Sequence, residues 1–253
     1  MMRSAVALVL AVLAGLPAAA AERLSGAAFM GPSTQAMQRD DSQNPAMLWV
    51  KDGEALWRRN DEGNGKSCAS CHGDAASAMR GVAARYPAFD AESSRPLNLG
   101  QRINQCRVQQ QQAAPLAQDS DALLGLESFV ALQSRGMPAA APDDARLQPF
   151  LQRGALRWQQ RMGQLNLSCA QCHDERSGQR LGSSVIPQGH ATGYPIYRLE
   201  WQAMGSLQRR LRNCMSGVRA ELFPAGSVEL VELELYLAQR ARGMAMEAPA
   251  VRP

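Results

Sequence analysis

The chain has 253 residues, 45% of them apolar but only 5% aromatic, and a formal net charge of +4. That length accommodates two small domains, and so few aromatic side chains would not fill two large cores unaided. The charge is too small to argue for a nucleic-acid or membrane-surface partner.

Residues 1–21 begin with a basic Arg3, continue as an apolar run from Ala5 to Leu16 and end in Ala18-Ala19-Ala20-Ala21. This is the pattern of a secretory signal cleaved near Ala21, too short and wrongly flanked for a retained transmembrane helix. Glu22 is then the first mature residue, and a periplasmic address is expected. Loss of Arg3 lowers the charge to +3. No later segment has the length of a membrane span.

A helix is expected from about Gly53, leading into Cys68-Ala-Ser-Cys71-His72. Cys-x-x-Cys-His is the attachment signature of a c-type haem. Cys68 and Cys71 would form thioethers with the haem vinyl groups, and His72 would present its imidazole to iron. A lone Cys-x-x-Cys would also suit zinc or a redox pair, but the following histidine, present twice in this chain, selects haem. A solitary Cys106 comes next, followed by a Gln109–Gln112 run that reads as a solvated helical face or loop without function. A helix is expected to begin at Asp121, run through Leu124, Phe129 and Leu132, and stop at Gly136 before Pro138. The Pro- and Ala-rich stretch Ala139–Asp144 is the natural linker, dividing the mature chain into domains 22–144 and 145–253.

The second domain repeats the first. A helix from about Leu147 leads to Cys169-Ala-Gln-Cys172-His173, which matches the first motif at a separation of 101 residues and brings Gly53 onto Gly154 and Trp57 onto Trp158. Cys106 and Cys214 stand 108 apart, and Gly136-Met137 and Gly243-Met244 stand 107 apart. The change in separation implies an insertion of about seven residues between the second motif and its trailing cysteine. In the final helix Ser227 caps, and Val228, Val231, Leu235 and Ala238 recur at helical spacing. Glu229 and Glu232 lie early, Arg240 and Arg242 late, and Gly243 stops it. Strand signals are few. The expected fold is all-α, two tandem cytochrome c-like domains from an internal duplication, holding two haem c groups.

Only three histidines exist. His72 and His173 are committed to the near side of each iron, and His190, in a Gly/Pro-bounded loop, reads as a surface residue. The far side is open to three readings. Met137 and Met244 are repeated, but each follows a stop glycine and could simply cover a core edge. Cys106 and Cys214 could form a disulfide in an oxidising compartment, or each could ligate its own iron as a thiolate. If the segment from Arg209 to Cys214 is helical, Arg210 lies one turn from Cys214 on the same face. It belongs to a basic stretch containing Arg198, Arg209, Arg212 and Arg219 against Glu200 and Glu221.

Tyr197-Arg198-Leu199-Glu200-Trp201 and Ser206-Leu207-Gln208-Arg209-Arg210-Leu211-Arg212-Asn213-Cys214-Met215, with a lone cysteine after each haem motif, resemble the dihaem A subunits of the SoxAX cytochrome complexes of bacterial thiosulfate oxidation. The resemblance extends over essentially the whole mature chain, and some of those relatives lack the first haem. It implies His72/Cys106 and His173/Cys214 as axial ligand pairs, Cys214 as a catalytic cysteine able to carry a persulfide, and Arg210 as the substrate-holding residue. The implied activity is that of an L-cysteine S-thiosulfotransferase. Thiosulfate is coupled oxidatively to a cysteine of a SoxYZ-type carrier, giving a cysteine S-thiosulfonate, and two electrons pass to a SoxX-type monohaem cytochrome. The first haem has no evident part in this and would be structural or a relic. A periplasmic dihaem electron carrier would normally show Met or His as second ligand and needs no substrate arginine. A dihaem peroxidase needs an open iron with an acid–base residue above it. The scarcity of histidine and the repeated cysteine count against both.

Overall fold

The computed structural model describes residues 22–60 and 63–253; the expected signal segment 1–21 lies outside them. The first half contains α1 (Pro32–Arg39), α2 (Ala46–Arg58), α3 (Cys68–His72), α4 (Ala75–Ala78), β1 (Ala88–Asp90), β2 (Arg95–Leu97), α5 (Leu99–Cys106) and α6 (Asp121–Leu132). The second contains α7 (Gln148–Gln159), α8 (Cys169–His173), β3 (Arg180–Leu181), β4 (Ser184–Val185), β5 (Ile196–Arg198), β6 (Ala203–Gly205), α9 (Leu207–Gly217), α10 (Val228–Arg240) and β7 (Ala250–Arg252).

Helices dominate, as expected, but three small sheets accompany them. β1 and β2 form one antiparallel hairpin, β3 and β4 another, and β5 sits between antiparallel β6 and parallel β7. Strands of two or three residues are too short to show an alternating pattern in sequence. The β3–β4 hairpin lies in the interval where the repeat spacing calls for an insertion.

The repeated glycines bring helices together. α2 crosses α6 so closely that a Cβ at Gly53 would lie 2.0 Å from the Gly125 carbonyl oxygen, and at Gly154, where α7 crosses α10, it would lie 2.2 Å from that of Glu232. Only glycine permits such backbone approach. Ser120 and Ser227 cap α6 and α10 through the amides of Leu123 and Leu230. α2 starts earlier than expected, at Ala46. α10 is not polar on its acidic side: Glu232 is 1% exposed and is held by Arg153 at 2.6 Å and Arg157 at 3.1 Å, both from α7. Its acidic residues therefore serve packing as well as the helix dipole.

The segments after α6 and α10 pair with each other. Gly136 N donates to Met246 O and Gly243 N to Ala139 O; Met246 N donates to Met137 O and Ala139 N to Met244 O, all at 2.8 Å. Each bond maps onto its mate when the halves are exchanged, and Pro138 bridges its own repeat counterpart Ala245. The halves thus meet about a local two-fold axis, the arrangement of an isologous dimer within one chain. The expected linker begins as part of this ladder, with Ala139 and Ala141 buried.

At the same interface Glu127 and Glu234, again equivalent in the repeat, line a cavity of about 110 Å³. Glu234 accepts from Asn98 Nδ2 at 2.8 Å and Gln208 Nε2 at 3.2 Å, whereas no described residue donates to the Glu127 carboxyl. Residues 22–44 cross over to the second half. Leu24 N donates to Gln188 Oε1 at 2.7 Å, Arg23 binds the carbonyls of Arg240 and Arg242, and Asn44 Nδ2 reaches Pro249 O.

Candidate functional site

The second haem motif begins with a reciprocal cap. Ser168 N donates to Gln171 Oε1 at 3.0 Å and Gln171 N to Ser168 Oγ at 3.3 Å, which starts the short α8 carrying Cys169, Cys172 and His173. Trp158 lies against His173, ring centroids 5.5 Å apart, and its indole N–H donates to Asp174 Oδ2 at 2.7 Å. His173 Nδ1 is 2.7 Å from the Pro187 carbonyl oxygen. A carbonyl can only accept, so Nδ1 carries the proton and the Nε2 lone pair is left for a metal.

α9 is capped by Ser206 Oγ, which accepts from the Arg209 amide at 3.1 Å. Arg210 and Cys214 share one face of it, as the spacing predicts. Both line a cavity of about 890 Å³ together with His173, Tyr194, Arg198 and Arg252. Burial pushes the Cys214 thiol up, but a hydrogen bond to His173 and the charges of Arg210 and Arg198 outweigh it, and its pKa lies below the ordinary 9.0. Burial raises the neighbouring Cys169 thiol to about 11, with the Cys214 and Cys172 sulfurs adding to the effect.

The arginines divide by their partners. Arg209 stacks on Trp201 at 4.3 Å and donates to Met204 O at 3.1 Å, a packing role. Arg198 holds Glu200, and Arg252 holds Glu247, each at 2.5 Å. The Arg210 guanidinium makes no hydrogen bond or ion pair with any described residue.

The cavity volume is within the range of cofactor pockets, about 300–1,000 Å³. An imidazole with its Nε2 unengaged by a carbonyl, two thiols beside it in the motif and a third thiol lining the same cavity fit a c-type haem. Sequence reasoning missed three contributors. Tyr194 is half-buried and lines the cavity with Arg210 and Cys214, and desolvation of its phenol raises its pKa. Gly26 to Gly31 supply part of the wall. His190 is not a surface residue: it is half-buried, its Nδ1 meets Leu24 O at 2.8 Å, and it lines the cavity. Desolvation first, then the Arg240 and Arg23 charges, hold its pKa below 6.5 despite the Leu24 bond.

The first half repeats this frame. Ser67 and Ser70 form the reciprocal cap, Trp57 donates to Gly73 O at 3.1 Å and packs 5.8 Å from His72, and Asn98 with Gln101 caps α5. Cys106 ends α5 and is followed by a π-helical turn, Arg107–Gln111. Gln111 in that turn is buried and donates to Cys68 Sγ at 3.7 Å, so the glutamine run reaches the haem motif rather than only facing solvent. Cys71 and His72 are exposed. No disulfide joins Cys106 to Cys214. Met244 packs with Ala84, Ala139, Ala241 and Met246 between the halves, and Met137 lies against Gly81. Neither lines the cavity beside His173.

Comparison with known proteins agrees with this frame. The family described as "SoxA/TsdA, cytochrome c domain" matches residues 52–139 and 153–246, one segment per half. The L-cysteine S-thiosulfotransferase subunit SoxA of Pseudaminobacter salicylatoxidans is 40% identical over 232 residues, 91% of this chain and 81% of that protein. The subunit of the same name from Rhodovulum sulfidophilum is 34% identical over 228 residues, covering 90% and 79%. The crystal structure of SoxXA from P. pantotrophus aligns with a TM-score of 0.88 at 35% identity, over 91% of this chain and 87% of that one. With both halves matched in sequence and the whole frame matched in space, the chain belongs to the SoxA/TsdA cytochrome c family.

Proposed function

We propose that the chain is the dihaem A-type subunit of an L-cysteine S-thiosulfotransferase, acting in the periplasm beside a SoxX-type monohaem cytochrome. The names of its relatives and its likeness to a SoxXA structure support this reading. Cys68 and Cys71 hold one haem c and Cys169 and Cys172 a second, in domains 22–144 and 145–253. His72 with Cys106, and His173 with Cys214, would hold the two irons. Among the described residues no helix is long and apolar enough to cross a membrane.

The substrates are thiosulfate and a cysteine thiol of a SoxYZ-type carrier. Their coupling forms one sulfur–sulfur bond, gives a cysteine S-thiosulfonate, and releases one proton and two electrons, the electrons bound for the partner cytochrome. Two anionic sulfurs repel each other, so the chemistry needs an oxidised sulfur and a cation. Haem held in this cavity would supply the electron-accepting centre, and Cys214 would supply a sulfur beside it, able to carry a persulfide. Arg210 holds the sulfonate oxygens through its fork of N–H donors.

The observation that carries the proposal is the unpartnered Arg210 guanidinium one helical turn from Cys214 in the large cavity. Arg210→Ala should abolish thiosulfate-dependent turnover while haem content and the visible spectrum stay unchanged. Undiminished turnover in that variant would remove Arg210 from the mechanism.

A further inference from the structure

The hairpin and helix that carry each lone cysteine correspond residue for residue between the halves. Ala88 pairs with Leu97 as Ile196 pairs with Gly205, and Arg102 precedes Cys106 as Arg210 precedes Cys214. The charges at one matched position, Asp90 and Arg198, are opposed. In the first half, Asp90 Oδ1 lies 3.8 Å from Arg102 Nη1, which also donates to Gln105 Oε1 at 2.6 Å. Hydrogen bonds from Ser93 hold the Asp90 carboxyl below its ordinary 3.8, so it is ionised at neutral pH. Glu92 lies just beyond, accepting from Gln105 and Gln109.

In the second half, the place of Glu92 is kept by Glu200, but that of Asp90 is taken by Arg198. Arg198 lines the cavity with Arg210. Its Nε and Nη2 hold Glu200, which leaves Nη1 without a hydrogen bond to a described residue. β7, which has no counterpart in the first half, sets Arg252 in register beside Arg198, and Arg252 lines the cavity too. Asp90 is thus a carboxylate beside Arg102 and opposite Arg95, whereas Arg198, opposite Ala203, adds a cation to that of Arg210. Like charges gathered on neighbouring strands and a facing helix repel each other, and an anion in the cavity relieves that repulsion.

We propose that Arg198 is a specificity-determining residue that clamps the sulfonate end of thiosulfate together with Arg210, and that Asp90, at the equivalent place in the first half, bars the same anion from the first site. This rests on the thiosulfate reading above. Guanidinium pairs match the oxygens of such an anion, and a carboxylate in the same position repels them. Two similar haem frames in one chain thus differ in what they admit through a single inverted charge.

The test is steady-state thiosulfate turnover and anion titration on the holoprotein. Loss of one charge-assisted hydrogen bond weakens anion affinity by about tenfold or more. Arg198→Gln should therefore raise KM for thiosulfate by about that factor with a smaller change in kcat, and Arg198→Lys should restore most of it. A wild-type KM in Arg198→Gln overturns the clamp. Asp90→Arg should leave turnover unchanged and give the first haem a thiosulfate-dependent shift in its absorption that wild type lacks; no shift, with both haems present, overturns the barrier. Arg210→Ala is the internal reference. If it loses turnover while Arg198→Gln keeps a normal KM, the clamp alone fails; if it too keeps full turnover, the thiosulfate reading fails.

Discussion

Glu127 and Glu234 lie between the halves, and among the described residues no cation pairs with either carboxyl. Burial, then the Glu234 and Asp119 charges, raise Glu127 to about 8; burial raises Glu234 to about 7 despite its hydrogen bonds from Asn98 and Gln208. In the unfolded chain both titrate near 4.5. Between those values the folded state binds more protons than the unfolded one. The stability associated with the protonated carboxyls is therefore complete below pH 4.5 and is lost as pH rises through about 7 to 8. Glu127→Gln should lose less stability than wild type between about pH 5 and pH 8. The difference should be about a few kcal/mol, because each tenfold change in proton affinity corresponds to about 1.4 kcal/mol. Thermal unfolding at the two pH values measures this, and equal losses would contradict it. Sequence made the meeting of His173, Arg210 and Cys214 in one cavity partly legible, because a motif and a one-turn spacing are local patterns. It concealed the burial of Glu127 and the place of Tyr194 and His190 in the cavity wall, because both are set by what packs against a residue from afar.

Helix crossings are the element-scale determinant. A Cβ at Gly154 must push α7 away from the Glu232 carbonyl of α10, since a backbone oxygen at 2.2 Å cannot yield as a side chain would. Gly154→Ala should cost about 1–3 kcal/mol or more and lower the melting temperature by several degrees, at roughly 2–4 °C per kcal/mol. Gly217→Ala, where a Cβ meets nothing within 4 Å, should be neutral or stabilise by about 0.5–1 kcal/mol. A melting temperature unchanged in Gly154→Ala would refute the close-crossing account. The helices α6 and α10 were readable from their caps, apolar spacing and stop glycines. The buried side of α10 was not, because Glu232 and Glu234 are satisfied by partners from other elements, Arg153 and Arg157 for one, Asn98 and Gln208 for the other. β7 depends wholly on a distant partner, β5.

Across the whole molecule the duplication is spatial as well as sequential. The ladder between 136–139 and 243–246, the shared carboxyl cavity and the crossing of residues 22–44 tie the halves together. Calorimetry should show one unfolding transition, coincident with loss of haem absorbance and of helical circular dichroism. Two resolved transitions would mean that the halves are independent. The repeat was visible in sequence as matched spacings; the axis was not, because residues 107 apart that meet their own counterparts leave no local mark. The crossing segment has one more consequence. Gly26, Ala28, Phe29, Met30 and Gly31 wall the cavity that also contains Cys214. Because that wall and Cys214 belong to different halves, the chamber is complete only once both halves have folded together, and the second half by itself would lack one side of it.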